Sequence, residues 1–572
     1  MPTRSSRRSL GSLTDRHRAD PIKAGGIHYT PPSLAAFVAE QAVKTLDATD
    51  SVRVLDPACG DGALLASAAQ ALPRSIRCEL YGFDLDATAL HQAQCRLRSL
   101  PSNRMVMLEK LDFIDAVLDE KESTDALFAK PDVVPLAGRF DLVIANPPYV
   151  RTQVLGSNKS RRLAEDFGLS GRVDLYHAFA TAMAVALRSR GVMALLCSNR
   201  FLTTKSGEDM RKMLASAFEV VAIIDLGDTK PFEAAVLPAV VIARRNDEGT
   251  KRFPMISIYE NRAGSSAPEK VPSIFHAMTT DVVGLVEAGD RVYEIRRGHV
   301  DTSDPRRPWV PAGTSDRWLQ EVDAAAVMRF GDVGKVRVGV KTTADGVFIH
   351  EVGEWKGLTR APEPDLLLPL ITHHIARAWQ ADVPRKMILY PYRLDIATRS
   401  PVDLADWPAT AAYLDEHREQ LSGRKYVIDG GRHWWEIWVP QRPAAWAAPK
   451  IVWPDISEEP RFFYDKAGAV VNGDCYWLTV EDERLAYLMM AVANSTLGRD
   501  YYDSVCGNKL YAGRRRYITQ YVERFPIPDP AQSVVGEIVQ AVQELIHCRI
   551  PGRILELEGE LNRLVWRSFG LE

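Results

Sequence analysis

The chain has 572 residues, of which 46% are hydrophobic and 25% charged, and its formal net charge is −3. No run approaches the ~18 consecutive apolar residues that a membrane span requires, so the composition indicates a globular, multi-domain protein with no membrane association. Seven cysteines without a Cys-x-x-Cys pair or a Cys/His cluster argue against a disulfide framework and a metal site, and they favour a reducing, cytoplasmic setting.

The N-terminal segment, residues 1–26, mixes six basic residues with serine and glycine, which is typical of a disordered basic tail. The first predicted helix follows Thr30-Pro31-Pro32-Ser33. We expect Thr30 or Ser33 to cap it, with a proline tolerated in its first turn. A helix N-terminus with a free hydroxyl suits a ligand carboxylate, which makes Thr30 a candidate binding residue.

A short strand then runs into a glycine loop that contains Gly60 and Gly62. The third glycine of a dinucleotide fingerprint would fall at Leu65, so the pyrophosphate motif is not met. An acid at the strand end, Asp56, beside closely approaching backbone fits a ligand with a cationic amino-acid moiety and no phosphates. S-adenosyl-L-methionine is such a ligand.

Two further strand ends carry acids. Asp84 follows the second strand, where a carboxylate is placed to accept both hydroxyls of a ribose, and Asp86 is expected to cap the helix from about Ala87 to Leu97. Asp112 and Phe113 follow the third apolar stretch and suit the edge and face of an adenine moiety. Without those neighbours, an exposed Asp and a core Phe would be the simpler interpretation.

The apolar run Phe140–Ala145 ends in Asn146-Pro147-Pro148-Tyr149. The prolines stop the strand and stiffen the loop, so the Asn146 side-chain oxygen and the Pro147 carbonyl are held as a pair of acceptors for a planar NH2 group. Tyr149 is placed to stack on the base that carries this amine. Taken alone, Asn-Pro-Pro after a strand is equally compatible with ordinary loop punctuation.

The joint pattern resembles the gamma class (TaqI-type) of DNA adenine-N6 methyltransferases of restriction-modification systems. The motifs that carry the resemblance are Tyr29-Thr30-Pro31-Pro32, Asp56-Pro57-Ala58-Cys59-Gly60-Asp61-Gly62, Gly82-Phe83-Asp84-Leu85-Asp86, Asp112-Phe113 and Asn146-Pro147-Pro148-Tyr149. The resemblance adds Ala58 and Leu85 to the cofactor-binding residues. It also places Phe232 on the second face of the flipped adenine, with the alternative that this ring folds onto the core.

The resemblance implies an α/β architecture: a doubly wound, Rossmann-like methyltransferase domain followed by a mixed α+β target-recognition domain. We predict the catalytic domain at 27–262, a linker at 263–305, where glycine, serine and proline become frequent, and the recognition domain at 306–572. The polar stretch 151–171 is expected to be a mobile loop over the target base.

In the C-terminal half, 336–342 and 345–349 are predicted to pair as a hairpin, and 533–566 is mostly amphipathic helix interrupted at Pro551. Aromatic and basic residues interleave near 424–438 and again near 507–517, a mixture that suits phosphate anchoring and base readout. The predicted DNA-binding residues are Lys509, Arg514, Arg515 and Arg516.

The expected reaction is methyl transfer from S-adenosyl-L-methionine to N6 of a flipped-out adenine in double-stranded DNA, with no metal, by a monomer that protects DNA from a cognate restriction endonuclease. Protein glutamine methylation also uses Asn-Pro-Pro-Tyr but predicts a short chain without a large C-terminal domain. A fused nuclease would need more than the 26 residues that precede the cofactor domain. A DNA-binding module with a vestigial catalytic site is the alternative outside the enzymes.

Overall fold

The computed structural model divides into two compact units, residues 1–311 and 312–572. The described residues are 30–47, 50–124, 135–149, 157–168, 174–229, 237–261, 269–312, 317–396, 398–506, 510 and 513–571. The predicted basic tail, 1–26, lies outside them. None of the described helices is long and apolar enough to cross a membrane.

Within the described residues, unit 1 contains one sheet of eleven strands in the order β3-β2-β1-β4-β5-β7-β6-β8-β11-β10-β9. The strands are β1 (Ser51–Asp56), β2 (Arg77–Asp84), β3 (Arg104–Lys110), β4 (Phe140–Ala145), β5 (Leu187–Ser198), β6 (Phe218–Asp225), β7 (Pro238–Arg245), β8 (Arg252–Glu260), β9 (Glu269–Lys270), β10 (Gly284–Ala288) and β11 (Arg291–Asp301). Strands β1 to β6 and β8 run parallel, and β7 is antiparallel between β5 and β6.

The described helices of unit 1 connect these strands. They are α1 (Pro32–Thr45), α2 (Ala63–Ala71), α3 (Ala87–Leu97), α4 (Phe113–Thr124), α5 (Ser157–Phe167), α6 (Leu175–Ala186), α7 (Arg200–Thr203), α8 (Glu208–Ala217) and α9 (Ile274–Thr279), with a 3-10 turn at Lys205–Gly207. Helix α1 begins with proline in its first turn, as expected. Its N-cap is Pro31, however, and no side chain caps it, so neither Thr30 nor Ser33 has the predicted capping role.

The sheet is covered on both faces, and β4 shows why. Its successive side chains point to opposite sides, so Leu142 and Ile144 join the core packed by α1, α2 and α3, while Val143 and Ala145 join the core packed by α4, α6 and α8. All four are 0% exposed. The prediction of a doubly wound, Rossmann-like domain is therefore confirmed.

Two sequence expectations for unit 1 are wrong. The predicted linker, 263–305, contains β10 and β11, and β11 pairs with β8 along nine residue pairs, so its described residues belong to the large sheet. The glycine- and serine-rich residues 263–268 of this stretch lie outside the described residues. Within the predicted mobile loop, 151–171, residues 157–167 form helix α5 instead, and its Leu163 is buried in the core. Residues 151–156 and 169–171 lie outside the described residues.

Unit 2 is mixed α+β, and its described strands form several small sheets. The strands are β12 (Ala326–Arg329), β13 (Arg337–Val338), β14 (Ile349–Glu351), β15 (Leu367–Ile371), β16 (Lys386–Leu389), β17 (Lys450–Pro454), β18 (Ile456–Ser457), β19 (Phe463–Asp465), β20 (Val470–Val471), β21 (Cys475–Thr479), β22 (Arg515–Arg516) and β23 (Pro526–Pro528). The two largest of these sheets have the orders β13-β21-β17-β19 and β14-β16-β15-β20.

The helices of unit 2 are short in the middle of the chain and long at its end. They are α10 (Arg317–Ala325), α11 (Phe330–Val333), α12 (Asp345–Phe348), α13 (Val352–Gly357), α14 (Pro408–Glu416), α15 (Arg418–Ser422), α16 (Lys425–Asp429), α17 (Glu483–Asn494), α18 (Thr496–Val505), α19 (Thr519–Val522), α20 (Ser533–His547) and α21 (Pro551–Ser568), with 3-10 turns at Pro364–Leu366, Leu404–Asp406 and Pro443–Trp446. The expected interruption at Pro551 is confirmed, because that residue begins α21.

The predicted hairpin of 336–342 with 345–349 is wrong. Strand β13 pairs with β21, and residues 345–348 form the short helix α12. The alternation of apolar and polar residues indicated a strand correctly at 337–338. It could not indicate the partner, because β21 lies more than a hundred residues further along the chain.

Candidate active site

The carboxyl ends of the parallel strands of unit 1 lie along one edge of the sheet, and polar residues follow each of them. The glycine loop after β1 is tied to the end of β2 by two backbone amides: Cys59 donates to the Phe83 carbonyl at 2.8 Å, and Gly60 donates to Asp84 Oδ2 at 2.8 Å. The sequence reasoning placed these two motifs at the same crevice, and the structure brings them into direct contact.

The loop itself requires glycine. Gly60 has φ +52° and Gly62 has φ +78°, both in the left-handed region. A Cβ on Gly62 would also lie 3.1 Å from the Ala93 Cβ of α3. The turn therefore places the backbone of residues 58–62 and the start of α2 at the sheet edge. The two glycines carry no side chain that would cover this backbone, so that a ligand can approach it closely.

Asp56 is the buried acid of this edge, with 1% of its surface exposed. Its Oδ1 accepts a hydrogen bond from the Ala58 amide at 3.1 Å. Burial, and to a lesser degree the neighbouring Asp84 and Asp61, raise the pKa of Asp56 to about 8. Without a ligand this carboxyl therefore holds a proton near neutral pH, and a cationic ligand, unlike a phosphate, would favour its ionised form.

Asp84 is held by two backbone amides. Its Oδ1 accepts from Asp86 N at 2.9 Å while its Oδ2 accepts from Gly60 N, so the carboxylate is fixed at the strand end and still partly exposed. Asp86 accepts from Thr88 N at 2.8 Å and caps α3, as predicted. Between them, Leu85 exposes 61% of its surface, which is unusual for a leucine beside a core strand.

The two residues after β3, Asp112 and Phe113, have different surroundings in the structure. Asp112 accepts from Asp115 N at 3.3 Å at the start of α4. Phe113 is 1% exposed, and its ring packs at 6.4 Å from Phe83 and 6.1 Å from Phe179. The expectation that the Phe113 ring offers a face to a ligand is therefore wrong, because core packing covers it; only its backbone lies at the helix start.

The four-residue motif after β4 closes the edge. The Asn146 side chain donates through Nδ2 to Thr30 Oγ1 at 3.0 Å, and its Oδ1 accepts from the Tyr149 hydroxyl at 2.9 Å. Pro147 is buried, and Thr30 is 9% exposed. Burial raises the pKa of the Tyr149 phenol well above its usual value, so this hydroxyl is a donor at all physiological pH values.

Sequence reasoning missed a polar network on the neighbouring strands. Asp225, at the end of β6, accepts from Tyr259 Oη at 2.7 Å, from Asn199 Nδ2 at 2.9 Å and from Gly227 N at 3.1 Å. Asp225 is 4% exposed, and burial raises its pKa. The signal that could have found it is an acid or amide at the end of each parallel strand, the same signal that identified Asp56 and Asp84.

The remaining predicted residues are distributed differently from expectation. Phe232 and Lys509 lie outside the described residues. Arg514 is exposed, and Arg516 is exposed and paired with Asp455 at 3.2 Å. Arg515 is 8% exposed and holds Asp503 through two hydrogen bonds of 2.7 and 2.8 Å. The prediction that Arg515 contacts DNA is wrong, because its guanidinium is buried and hydrogen-bonded to Asp503.

Arg424, from the aromatic and basic stretch 424–438, is also structural. It is 6% exposed and donates to the carbonyls of Thr342 at 2.8 Å and Trp434 at 2.8 Å. The side chain thus ties together segments distant in sequence. The charge pattern alone could not distinguish this role from phosphate binding.

The edge of unit 1 fits S-adenosyl-L-methionine in three respects. The enclosed acid at position 56 matches a cation, the glycine turn permits close backbone approach, and the fixed carboxylate of Asp84 is placed for hydroxyl groups. The order of the strands, with one antiparallel strand inserted beside the last parallel ones, completes the pattern. Fold and site together define an S-adenosyl-L-methionine-dependent methyltransferase.

Comparison with known proteins narrows this class. Residues 78–232 match the Eco57I restriction-modification methylase family, and residues 389–527 match the TaqI-like C-terminal specificity domain. The type II methyltransferase M.BanIII of Aneurinibacillus aneurinilyticus is 35% identical, covering 96% of this chain and 98% of its own. M.PaeR7I of Pseudomonas aeruginosa is 25% identical, covering 96% and 92%.

A solved DrdV–DNA complex shares the fold, with a TM-score of 0.52 and 13% identity over 92% of this chain and 58% of that one. The chain belongs to the type II methyltransferases of restriction-modification systems, as an adenine methyltransferase of the TaqI type. It is a site-specific DNA methyltransferase, and S-adenosyl-L-methionine is its cofactor. The predictions of family, cofactor and DNA as partner are confirmed.

Proposed function

We propose that the chain methylates N6 of an adenine that is flipped out of double-stranded DNA, and that Asn146 and Pro147 hold the amino group that reacts. The observation that carries this proposal is the orientation of Asn146. Thr30 accepts from the amide nitrogen at 3.0 Å, which leaves the amide oxygen as the group turned to a donor. A planar base amine is such a donor.

Two acceptors on a stiff loop draw the amine hydrogens out of the plane of the purine ring, which takes the nitrogen lone pair out of conjugation and exposes it. The prolines supply the stiffness, and Pro147 is itself buried. When bound, the cofactor would supply a methyl group on a sulfonium: the nitrogen lone pair attacks the methyl carbon, the carbon–sulfur bond breaks to release a neutral thioether, and the nitrogen then loses a proton to solvent. No covalent intermediate with the protein is required.

Tyr149 has two roles in this proposal. Its hydroxyl occupies Asn146 Oδ1 at 2.9 Å, and therefore stands where the base amine would donate. We infer that the amine replaces this hydroxyl when the base enters, while the ring stacks on the purine. Phe232 is proposed to stack on the opposite face; a base-to-ring contact of this kind contributes about 1–3 kcal/mol.

The cofactor is proposed to lie along the strand ends of β1 to β3. Asp56 faces its cationic part, Asp84 accepts from the ribose hydroxyls, and Leu85 covers the adenine moiety with its exposed side chain. The proposed set also includes the edge acceptor Asp112, the backbone of Phe113, Ala58, Gly60 and Gly62, and Thr30, whose hydroxyl accepts from Asn146 and can still donate its own proton.

Unit 2 is proposed to read the target sequence, with Arg514, Arg516 and Lys509 as phosphate or base contacts. The exposure of Arg514 and Arg516 supports this assignment. We further propose a monomer in the cytoplasm whose product protects DNA from a cognate restriction endonuclease, as the restriction-modification membership of the chain suggests.

One experiment tests the reaction directly. DNA from a host that expresses the protein is sequenced by a single-molecule method, in parallel with DNA from a host that expresses Asn146→Ala. The expected result is N6-methyladenine at one sequence context with the first protein and none with the second. Methylation at cytosine, or equal methylation by both proteins, contradicts the proposal. Cofactor binding without any DNA methylation would favour a vestigial catalytic site.

A further inference from the structure

In unit 2, three basic residues outside the predicted DNA-binding set, Arg337, Lys341 and Arg442, lie on adjacent segments of chain. The Lys341 amide donates to the Val439 carbonyl and the Val439 amide donates to the Lys341 carbonyl, each at 3.0 Å. Gln441 Nε2 donates to the Val338 carbonyl at 2.7 Å. These bonds place residues 337–341 alongside residues 439–442, so that Arg337, Lys341 and Arg442 share one region of the surface.

These cations lack counter-ions in the part of the chain that the structure describes. None of the three side chains has a hydrogen-bond or ion-pair partner there, whereas most other arginines of unit 2 do. Lys341 and Arg442 are exposed and Arg337 is half-buried. Burial and the neighbouring Arg442 both lower the pKa of Arg337, as expected for two guanidinium groups held near each other without an acid between them.

Acids near this region are already engaged. Lys341 Cγ lies 3.0 Å from where a Cβ on Gly473 would stand, so the lysine crosses the β20–β21 turn. The next residue in that turn, Asp474, is bonded to His373 Nδ1 at 2.5 Å. Asp345, near the other end of the segment, accepts from the Thr342 hydroxyl. Neither acid forms an ion pair with Arg337, Lys341 or Arg442 in the part of the chain that the structure describes.

The backbone around the cations is constrained. Thr343 has φ +59° and Gln441 has φ +65°, a conformation that residues with a Cβ seldom adopt. Gly339 is packed so closely that a Cβ would meet the Asn472 carbonyl oxygen at 2.1 Å. The buried Arg424 fixes the same loop through the Thr342 carbonyl. Three cations are thus presented from a constrained backbone.

We propose that Arg337, Lys341 and Arg442 form a phosphate-binding surface that holds the DNA backbone. The inference rests on the DNA-methylating function above and assigns to it a contact surface outside the predicted 507–517 loop. Such a surface fits the DNA backbone, because its regularly spaced phosphates neutralise several cations at once. Phosphate contacts of this kind position a duplex without reading its sequence.

The test compares Arg337→Gln, Lys341→Gln and Arg442→Gln with the wild-type protein. Dissociation constants for a duplex with the target site and for one without it are measured over a range of salt concentrations. Each substitution is expected to reduce the slope of log affinity against log salt by about one unit, equally for both duplexes. The matched control is Arg393→Gln, an exposed arginine of the same unit that is paired with Asp395 at 2.7 Å; its slope is expected to stay unchanged.

A second readout separates binding from folding. The unfolding temperature of DNA-free Arg442→Gln is expected to equal or exceed that of the wild type, because a like-charged neighbour has been removed. The proposal would be overturned if the salt slope were unchanged in all three variants, or if the slope of the Arg393→Gln control fell by the same amount. It would also be overturned if the variants lost their preference for the target duplex while their salt slopes stayed unchanged. A wild-type protein that neither binds nor methylates DNA would instead refute the proposed function.

Discussion

The Asn146 amide nitrogen donates to Thr30 Oγ1 at 3.0 Å, joining residues that are 116 positions apart in the chain. One comes from the loop before the first helix and the other from the end of β4. The contact orients the amide: its nitrogen donates to the threonine, and its oxygen accepts from the Tyr149 hydroxyl. Thr30 thus links the predicted cofactor edge to the predicted amine site.

Replacing Thr30 with valine should slow methyl transfer. The amide nitrogen then loses its hydrogen bond to the threonine hydroxyl, and such a bond contributes about 0.5–1.5 kcal/mol, which corresponds to a loss of about 2- to 13-fold in single-turnover rate. Thr30→Ser keeps the hydroxyl and serves as the control. A Thr30→Val enzyme with a normal rate but weakened cofactor affinity would assign Thr30 to the cofactor alone.

Asn146→Ala should abolish turnover while the dissociation constant for the cofactor, measured by calorimetry, stays within about threefold of wild type. Tyr149→Phe provides the graded comparison, because it removes the hydroxyl that occupies Asn146 Oδ1 but keeps the stacking ring. Its rate should fall by less than that of Tyr149→Ala. Equal losses in the two tyrosine variants would mean that stacking contributes nothing.

Asp84→Asn should weaken cofactor binding by about 10- to 100-fold, since hydrogen bonds to a charged acceptor contribute about 1.5–3 kcal/mol. Asp86→Asn is a matched control two residues away: asparagine is as good a helix cap as aspartate, so the affinity should not change. Should both variants bind the cofactor normally, the ribose contact lies elsewhere.

The stability of the cofactor-free protein should fall as the pH rises from 5 to 8. Burial raises the pKa of Asp56 in the folded state from its ordinary value of 3.8 to about 8, so the folded chain holds a proton that the unfolded chain has lost. Unfolding releases it, and the free energy of unfolding then decreases by up to ~1.4 kcal/mol per pH unit, levelling off above pH 8.

Asp56→Asn removes this titration. Its unfolding temperature relative to wild type should therefore increase with pH across that interval, measured by scanning calorimetry without cofactor. A constant difference between the two proteins from pH 5 to pH 8 would show that the carboxyl of Asp56 is ionised throughout.

Arg515→Ala should destabilise unit 2 and leave the salt dependence of DNA binding unchanged. Removing one member of a buried ion pair costs about 3–5 kcal/mol, because Asp503 remains as an uncompensated charge. Arg514→Ala, one residue earlier and exposed, is the control for stability. A variant at 515 that folds like wild type but shows a flatter salt slope would restore the original assignment to DNA.

The residues at the strand ends could be predicted from the sequence. The position of Asp56, the glycine turn, the helix cap at Asp86 and the prolines after β4 all follow from local rules: a buried strand must stop at proline, positive φ favours glycine, and parallel strands present their carboxyl ends at one edge. These rules need only neighbouring residues, so the motifs and the doubly wound fold could be predicted.

Which charged and aromatic side chains remain accessible to a ligand could not be predicted, because it depends on the folded chain. Arg515 and Arg516 are adjacent in sequence, yet one is buried against Asp503 and the other is exposed beside Asp455, 61 positions away. Phe113 was assigned to a ligand and lies in the core, and the stretch 263–305 joined the sheet through β8. The physical reason is the same in each case: burial and pairing depend on the partners that folding brings close, and residue type does not encode those partners.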